Sequence, residues 1–511
     1  MLACVQSCGI AGIDGFAVTV EINLSNGMPM FEVVGLPDAS VKESRERVRA
    51  AVKNCGFAFP ASRLTVNLAP ADLKKEGPSY DLPIALGILC CLGTLPQHTL
   101  EDICVFGELS LNGTLRPVRG ALPMCISAAE RGIRKILLPK DNLQEVACIE
   151  GVELLPAESL TAAVRHLLGQ APIQPPRPVR YADLLSRRAC LEDFRHVKGQ
   201  SGAKRALEIA AAGGHNVLMI GPPGSGKTLM ARCMPGILPD MTFSEALETT
   251  RIHSVTGTVP PTGLLTERPF RSPHHTASHV SLVGGGLNAV PGEISKAHNG
   301  VLFLDELPEY RRDVLEALRQ PLEDGFIAIT RVNAQATYPA RFILICSMNP
   351  CPCGHMGSRT QQCRCTPAEI RRYLNRISGP LLDRIDMHVE VESIPPERLA
   401  DLSESESSES IRARVCAARA LQQSRYAADP SGISCNAQLN ARTLPSVCTL
   451  QPDARELLLL SCTQMNLSNR AHTRILKVAR TIADLEGSAD ITAEHVSEAV
   501  QYRTLDRKYW Q

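Results

Sequence analysis

The apolar positions in the first part of the chain alternate between strand-like and helix-like spacing. Short runs rich in β-branched residues predict strands at 17–22, 31–34 and 63–68. Residues 40–52 repeat their apolar positions with helical spacing and carry charges on the other face. Residues 82–95 are almost entirely apolar but too few to cross a bilayer, so they predict a buried helix. This part of the chain is expected to be a mixed α/β domain.

The middle and last parts of the chain follow a different pattern. Continuous apolar runs at 217–220 and 301–304 and the largely apolar segment 341–349 predict buried strands. From residue 454 onward the spacing becomes helical, with helices expected near 474–485 and 493–500. The pattern therefore predicts an α/β core followed by a helical region.

Two changes in composition mark boundaries between these parts. Residues 169–178 are rich in proline, and residues 400–410 are acidic and rich in serine. The expected organisation is an amino-terminal domain at 1–168, a linker at 169–189, an α/β core at 190–395, a connector at 396–435 and a helical domain at 436–511.

Composition narrows the class of protein without deciding its partners. The chain has 511 residues, which exceeds one hydrophobic core, and 44% hydrophobic with 21% charged residues is ordinary for a globular protein. The net charge of +1 means that any contact with nucleic acid requires a local basic surface. Many of the 19 cysteines lie in apolar runs, and the start lacks a basic and apolar leader. A cytoplasmic protein with reduced thiols and no membrane partner is expected.

A complete phosphate-binding loop follows the apolar run at 217–220 and precedes a helical pattern. Backbone N–H groups of such a loop turn toward the phosphates of ATP, a lysine neutralises their charge, and a hydroxyl ligates Mg²⁺. The residues assigned to these tasks are Gly221, Pro222, Pro223, Gly224, Ser225, Gly226, Lys227 and Thr228.

Further polar residues at the ends of predicted elements complete a hydrolytic site. Asp305 is expected to hold the Mg²⁺ and Glu306 to polarise the attacking water. Asn349, at the end of another apolar run, is expected to sense the γ-phosphate. Arg384 is expected to reach the nucleotide of a neighbouring subunit, and Arg470 to fold over the phosphates from the helical region.

These motifs together resemble the AAA+ ATPases of the magnesium-chelatase and helicase branch. The Leu-Leu-Asp-Arg motif at 381–384 and Ser-Asn-Arg-Ala at 468–471 contribute to the resemblance. Closer similarity, to the YifB/ComM magnesium chelatase-like family, comes from the block at 268–276, the glycines at 284–286 and the segment 297–306. The resemblance implies an AAA+ three-layer α/β core with a helical lid, in a hexameric homo-oligomer.

The same resemblance implies a motor on single-stranded or branched DNA that drives branch migration in homologous recombination and natural transformation, with recombination proteins as partners. In related ATPases, inserts in the core line a central pore. The counterparts here are 270–275 and a hairpin at 327–337. Arg271 and Arg331 are the candidate phosphate contacts, because arginine pairs well with phosphodiester oxygens; packing between subunits is the alternative.

The amino-terminal domain is similar to the Lon protease domain, which carries a catalytic Ser–Lys dyad. Ser79 stands near the serine position, but no lysine occurs between Lys75 and Lys135. The lysine position falls at about Leu122. Since a serine nucleophile requires a base within reach, proteolysis is not expected. A Lon-protease-like α/β fold without a dyad, used for DNA binding or assembly, is expected instead.

A cluster of thiols follows the Asn349 strand. Cys351, Cys353, Cys363 and Cys365, with His355 among them, are the types of ligand that tetrahedral Zn²⁺ takes. The Cys-x-Cys spacing is tighter than the usual Cys-x-x-Cys knuckle, so structural zinc, reduced loop cysteines and a redox switch all stay open.

Three functions compete at this point. The first is an ATP-driven DNA translocase or branch-migration helicase. The second is a chaperone-type ATPase that drives metal insertion into a tetrapyrrole, as the chelatase resemblance suggests. The third is a nucleotide-switched scaffold for DNA repair, against which Glu306 argues, because a pure switch has little use for a water-polarising carboxylate.

Overall fold

The computed structural model describes residues 1–185, 192–286, 289–331, 334–357, 361–393, 405–430, 432–465 and 467–510, without the side chains of residues 331 and 334. The described strands are β1 (Leu2–Ala11), β2 (Asp14–Ser25), β3 (Met30–Val34), β4 (Arg63–Ala69), β5 (Ile103–Val105), β6 (Glu108–Leu109), β7 (Leu115–Arg116), β8 (Lys135–Pro139), β9 (Glu153–Ala157), β10 (Val217–Ile220), β11 (Phe270–Arg271), β12 (Gly284–Gly285), β13 (Val290–Pro291), β14 (Val301–Leu304), β15 (Phe326–Arg331), β16 (Ala334–Pro339), β17 (Ile343–Met348) and β18 (Met387–Glu390).

The described α-helices are α1 (Ala39–Asn54), α2 (Asp81–Cys91), α3 (Ala121–Glu130), α4 (Leu143–Val146), α5 (Leu160–Leu167), α6 (Tyr181–Leu185), α7 (Ser201–Gly213), α8 (Lys227–Ile237), α9 (Phe243–Thr256), α10 (His279–Val283), α11 (Glu293–Lys296), α12 (Arg312–Ala317), α13 (Arg319–Asp324), α14 (Pro367–Leu374), α15 (Gly379–Leu382), α16 (Ser408–Tyr426), α17 (Leu444–Val447), α18 (Pro452–Gln464), α19 (Asn469–Leu485), α20 (Ala493–Gln501) and α21 (Thr504–Tyr509). The predicted strands β2, β3 and β4 and the predicted helices α1 and α2 are confirmed.

The chain forms two compact units. The N-terminal unit comprises Met1–Arg187 together with Thr242–Thr266, and the C-terminal unit comprises Arg188–Met241 together with Glu267–Gln511. Helix α9 therefore belongs to the N-terminal unit, although it follows the phosphate-binding loop in sequence. Within that unit the Gly120 N–H donates to the Ser254 carbonyl at 3.1 Å, and the Ser254 hydroxyl donates to the buried carboxylate of Glu145.

The N-terminal unit is built on a mixed seven-stranded sheet with the order β3-β4-β2-β1-β5-β8-β9. Neighbouring residues of a strand point to opposite faces, and on β5 Ile103 and Val105 join one core whereas Cys104 joins another. Helices α1, α2 and α5 cover the first core, and α3 and α4 cover the second. Both faces of the sheet are thus covered by helices.

The C-terminal unit is built on a parallel five-stranded sheet with the order β11-β14-β17-β10-β18. Strands β10, β14 and β17 are buried along their whole length, as their continuous apolar runs predicted. Helices α7 and α8 share a core with the C-terminal helices α16, α18, α19 and α20. The hairpin predicted at 327–337 is confirmed as the antiparallel pair β15–β16.

Candidate functional site

Three adjacent strands of the C-terminal unit end side by side. In the parallel register, Ile220 of β10 lies opposite Met348 of β17, and Leu304 of β14 lies opposite Cys346. The phosphate-binding loop, the Asp305–Glu306 pair and Asn349 therefore leave the sheet at the same edge. Ligands of parallel α/β sheets bind at such carboxyl ends, so the register gathers these predicted site residues.

The phosphate-binding loop has the backbone that its glycines permit. Gly224 and Gly226 have φ of 75° and 89°, in the left-handed region that other residues rarely adopt. A Cβ added at either glycine would meet nothing within 4 Å, so conformation and not crowding requires glycine there. Helix α8 begins directly afterwards at Lys227. The N–H groups of its first turn lack helical partners and suit an anionic ligand.

Lys227 is buried against its own loop. Its Nζ donates to the carbonyls of Gly221 and Pro222 at 2.7 and 2.9 Å, and lies 3.4 Å from Oδ1 of Asn349. Burial lowers the pKa of Lys227 to about 8, while the nearby Asp305 and Glu306 oppose that shift. Near neutral pH the Lys227 amine is therefore mostly protonated. The phosphates of a nucleotide would stabilise this charged form.

Asp305 and Thr228 form the oxygen-rich part of the site. The Thr228 hydroxyl donates to Oδ2 of Asp305 at 2.9 Å, and the Ser347 hydroxyl donates to Oδ1. A hydroxyl and a carboxylate are the hard ligands that Mg²⁺ takes, so this donor set fits the ion. Ser347 was not predicted, although its place beside Asp305 follows from the pairing of β14 with β17.

Glu306 stands in an unusual backbone conformation at the rim of the site. Its φ of 53° places a non-glycine residue in the left-handed region, and its side chain is 54% exposed. Oε2 of Glu306 lies 3.4 Å from Nδ1 of His275. His275 falls in the segment 270–275 that was expected to line a pore. Its place beside Glu306 was not predicted, because no spacing rule connects positions so far apart.

The predicted arginines Arg384 and Arg470 gather around a different group, Glu323 of α13. Arg384 is only 7% exposed, and its guanidinium pairs with Glu323 and donates to the Pro380 carbonyl at 2.8 Å. Arg384, followed by Arg470 and Arg319, lowers the pKa of the Glu323 carboxyl. Arg384, Arg319 and Glu323 line an open cavity of about 460 Å³. Within the single chain, Arg384 thus has a counter-ion of its own.

The two candidate DNA contacts lie on different strands of the C-terminal unit. Arg271 lies on β11, an edge strand of the central sheet, and its Nε donates to Glu293 at 2.7 Å. The first two residues of the expected insert at 270–275 are therefore part of the sheet. Arg331 ends β15, and its side chain lies outside the described part of the chain.

The region around Ser79 in the N-terminal unit is closed. Lys75 is fully buried, and its Nζ donates to backbone carbonyls, including that of Leu73 at 2.8 Å. Asp81 is also fully buried and accepts two bonds from Arg47 at 2.7 and 3.0 Å. Burial raises the pKa of Asp81 to about 6, and Arg47 opposes the shift. Leu122, at the expected lysine position, is a fully buried residue of α3.

The four predicted thiols come together in the C-terminal unit. The Sγ atoms of Cys351, Cys353, Cys363 and Cys365 all lie within 4.8 Å of one another, and three of the separations are 3.4, 3.7 and 3.6 Å. Tetrahedral zinc with Zn–S bonds of about 2.3 Å requires sulfur separations of about 3.8 Å. The cluster can hold a metal ion, and His355 is not part of the group.

Comparisons with known proteins agree with this architecture. Family models match residues 193–399 (Magnesium chelatase, subunit ChlI), 20–142 (Subunit ChlI of Mg-chelatase) and 405–503 (Magnesium chelatase, subunit ChlI C-terminal). The chain is 46% identical to YifB of Escherichia coli (strain K12) over 507 residues, which cover 99% of this chain and 98% of the relative. It is 44% identical to the competence protein ComM of Haemophilus influenzae over 509 residues, with the same coverage.

A weaker similarity concerns a shorter stretch of the chain. The Lon protease of Brevibacillus choshinensis is 25% identical over 171 residues, which are 31% of this chain and 22% of that protease. None of the helices in the described ranges combines the length and apolarity needed to cross a membrane. The matches to YifB and ComM extend over nearly all of both chains, and on that basis the protein belongs to the YifB/ComM family of magnesium chelatase-like AAA+ ATPases.

Proposed function

We propose that the protein is an ATP-hydrolysing AAA+ motor that acts on single-stranded or branched DNA as a ring, most simply a hexamer. Its work would be helicase action or branch migration during homologous recombination and natural transformation, in the cytoplasm and beside recombination proteins. The observation that carries the proposal is the convergence of Lys227, Thr228, Asp305, Glu306 and Asn349 at one sheet edge. Full-length similarity to a competence protein supports the DNA-related part.

Each residue of the site has a task in hydrolysis. Lys227 would exchange its loop carbonyls for phosphate oxygens, which stabilise its charge better than neutral acceptors do. Thr228 and Asp305 would hold Mg²⁺, which when bound draws negative charge from the β- and γ-phosphates. Glu306 would accept the proton of the attacking water, and Asn349 would orient that water or the γ-phosphate.

Assembly into a ring would complete the site. Arg384 and Arg470 lie around Glu323 and not among the groups that contact Lys227. A guanidinium supplied from a neighbouring copy can stabilise the charge of the transition state. We assign this role to Arg384 and expect Arg470, at the exposed start of α19, to follow the nucleotide through movement of a helical lid.

The N-terminal unit would serve as a platform for DNA or for assembly, on a Lon-protease-like fold without the dyad. Ser79 has no lysine at the expected position, since Leu122 occupies it in a closed core. Arg271 and Arg331 remain candidate DNA contacts in the C-terminal unit. The pairing of Arg271 with Glu293 means that phosphate would have to compete for its guanidinium.

We further propose that Cys351, Cys353, Cys363 and Cys365 bind one structural Zn²⁺. The sulfur separations fit tetrahedral thiolate coordination. The backbone N–H of Met356 donates to Sγ of Cys351 at 3.3 Å, and such N–H···S bonds orient metal-bound thiolates.

A chelatase-type ATPase that drives metal insertion is the second candidate. The descriptions of the matching family models favour it. Against it, the relatives that match almost the whole chain include a competence protein. A nucleotide-switched scaffold is the third candidate, and the exposed Glu306 beside Asp305 counts against it.

The proposal is tested by following strand exchange on a synthetic four-way junction with purified protein, ATP and Mg²⁺. We expect ATP-dependent movement of the branch point that Glu306→Gln abolishes. Hydrolysis per subunit should rise with protein concentration if Arg384 acts on a neighbouring nucleotide. A protein that hydrolyses ATP but leaves forked, single-stranded and four-way DNA unchanged would contradict the motor function and favour the chelatase candidate.

A further inference from the structure

The thiol cluster lies on residues 349–376, the cysteine segment, which begins and ends beside the nucleotide site. Cys351 stands two residues after Asn349, whose Oδ1 is 3.4 Å from Nζ of Lys227. At the other end of the segment, just after α14, Arg376 donates to Glu309 at 2.7 Å and to the Pro308 carbonyl at 3.3 Å. Pro308 and Glu309 follow Glu306 almost immediately. Both ends of the cysteine segment are therefore attached to residues next to the proposed catalytic groups.

The middle of the segment touches the phosphate-binding loop itself. Gly354 has a φ of 80°, and a Cβ added to it would lie 2.7 Å from Cδ and 2.8 Å from Cγ of Pro223. The same Cβ would lie 3.9 Å from Cγ of Asn349. Gly354, directly after Cys353, thus packs so closely against Pro223 of the phosphate-binding loop that a side chain there would require a shift.

These contacts give a metal ion a way to act on nucleotide binding. Four bonds from one ion restrict the segment that carries the cysteines, and metal binding to such segments supplies ordering free energy. We propose that the ion held by Cys351, Cys353, Cys363 and Cys365 fixes the cysteine segment against Pro223 and Asn349, so that metal occupancy controls nucleotide affinity. The inference rests on the proposed nucleotide and zinc sites, but it does not require DNA or hydrolysis.

Thermodynamic linkage makes the inference testable from the metal side. If bound metal increases nucleotide affinity, bound nucleotide must increase metal affinity by the same factor. The full-length protein is loaded with Zn²⁺, and the equilibrium transfer of zinc to a chromogenic chelator is measured with and without a non-hydrolysable ATP analogue and Mg²⁺. We expect one zinc per chain and a retention of zinc about tenfold stronger with the analogue, within the range of ordinary couplings.

Lys227→Ala is the control for this measurement, since it should bind zinc but show no effect of the analogue. Zinc retention that ignores the analogue, in wild-type protein shown separately to bind it, would overturn the inference. A protein that binds no zinc would overturn it too. Failure of the DNA function would instead appear only in the junction assay, with zinc binding and its response to the analogue intact.

A matched pair of glycine variants tests the contact itself. Gly354→Ala inserts a methyl group against Pro223, whereas Gly357→Ala, at a φ of 76°, meets nothing within 4 Å. Both variants carry comparable backbone strain, so their difference reports the contact. We expect both to keep zinc, and Gly354→Ala to weaken binding of a fluorescent ATP analogue about tenfold more than Gly357→Ala does. Equal nucleotide affinities in the two variants would overturn the proposed coupling.

Discussion

The region around Ser79 and the region around Lys227 both carry residues typical of an enzyme site, but their surroundings differ. Near Ser79, Lys75 and Asp81 are fully buried and bind partners of the same unit. Near Lys227, Gly224 and Gly226 of the phosphate-binding loop border open space, and the Glu306 side chain is 54% exposed. In the first region the charged groups of Lys75 and Asp81 are hydrogen-bonded within the fold, whereas the second region presents groups that a ligand can reach.

The comparison also extends to the backbone. Glu306 adopts a left-handed conformation that costs a non-glycine residue about 1 kcal/mol. Strain of this kind persists at functional positions because the surrounding structure enforces it. Ser79 lies in an ordinary 3₁₀ turn at Pro78–Tyr80. Residues that match a catalytic motif therefore indicate an active site only where a ligand can reach them, as at Glu306 and not at Ser79.

The largest expected effect concerns Arg384. Arg384→Ala should lower ATP hydrolysis by about 10³-fold in the assembled protein, because an inserted arginine stabilises transition-state charge. Nucleotide affinity should change little. Arg319→Ala, on the same cavity, is the matched control and should retain most activity. Hydrolysis by Arg384→Ala at the wild-type rate would restrict this arginine to its structural pair with Glu323.

Glu306→Gln comes next. The amide cannot accept the proton of the attacking water, so hydrolysis should fall by about 10²-fold while ATP still binds. Asp313→Asn, an exposed carboxylate of α12 that pairs with Arg311, is the control and should behave like wild type. Single-turnover hydrolysis and nucleotide binding measured on the same samples separate the two steps. A fully active Glu306→Gln protein would remove Glu306 from the mechanism.

The dependence of nucleotide affinity on pH should be smaller. Lys227 in the nucleotide-free site has a pKa of about 8, and bound phosphates raise that pKa, so the complex binds more protons. Affinity should consequently fall as the pH rises above 8, by up to about tenfold per pH unit. Equilibrium binding between pH 7 and 10 measures this. Lys227→Arg, which keeps its charge, should bind with little pH dependence; the same slope in both proteins would refute the assignment.

The smallest effect is expected in the N-terminal unit. Ser79→Ala should leave ATP hydrolysis unchanged and alter the free energy of unfolding by about 1 kcal/mol or less, the worth of one hydrogen bond. Peptidase activity should be absent from wild type and variant alike. Peptide cleavage that disappears in Ser79→Ala would reverse the contrast between the two regions.

Much of the nucleotide site could be predicted because it follows buried parallel strands. The continuous apolar runs of β10, β14 and β17 locate strand ends, and motif residues come directly after them. The position of Ser347 beside Asp305 could have been predicted in the same way, since β14 and β17 are neighbours. His275 was not, because β11 has only two residues and leaves no alternating pattern to follow.

Other features depend on tertiary contacts that leave little trace in sequence. Helix α9 joins the N-terminal unit through Ser254 and through Leu247, which packs against the core beneath α3. One apolar and one hydroxyl side chain on a mostly polar helix do not identify a partner. The pairing of Arg384 with Glu323 likewise joins groups far apart in sequence. Local sequence patterns predict helices and strands, whereas contacts between residues far apart in sequence depend on the tertiary structure.

The most direct test of the account is steady-state ATP hydrolysis by the purified full-length protein, without DNA and with single-stranded, duplex and four-way-junction DNA. Lys227→Ala, Glu306→Gln and Ser79→Ala are measured alongside. The account predicts hydrolysis that single-stranded or branched DNA stimulates, that Lys227→Ala abolishes, that Glu306→Gln lowers by about 10²-fold and that Ser79→Ala leaves unchanged. Hydrolysis at the wild-type rate in Glu306→Gln, or hydrolysis that ignores every DNA, would contradict it.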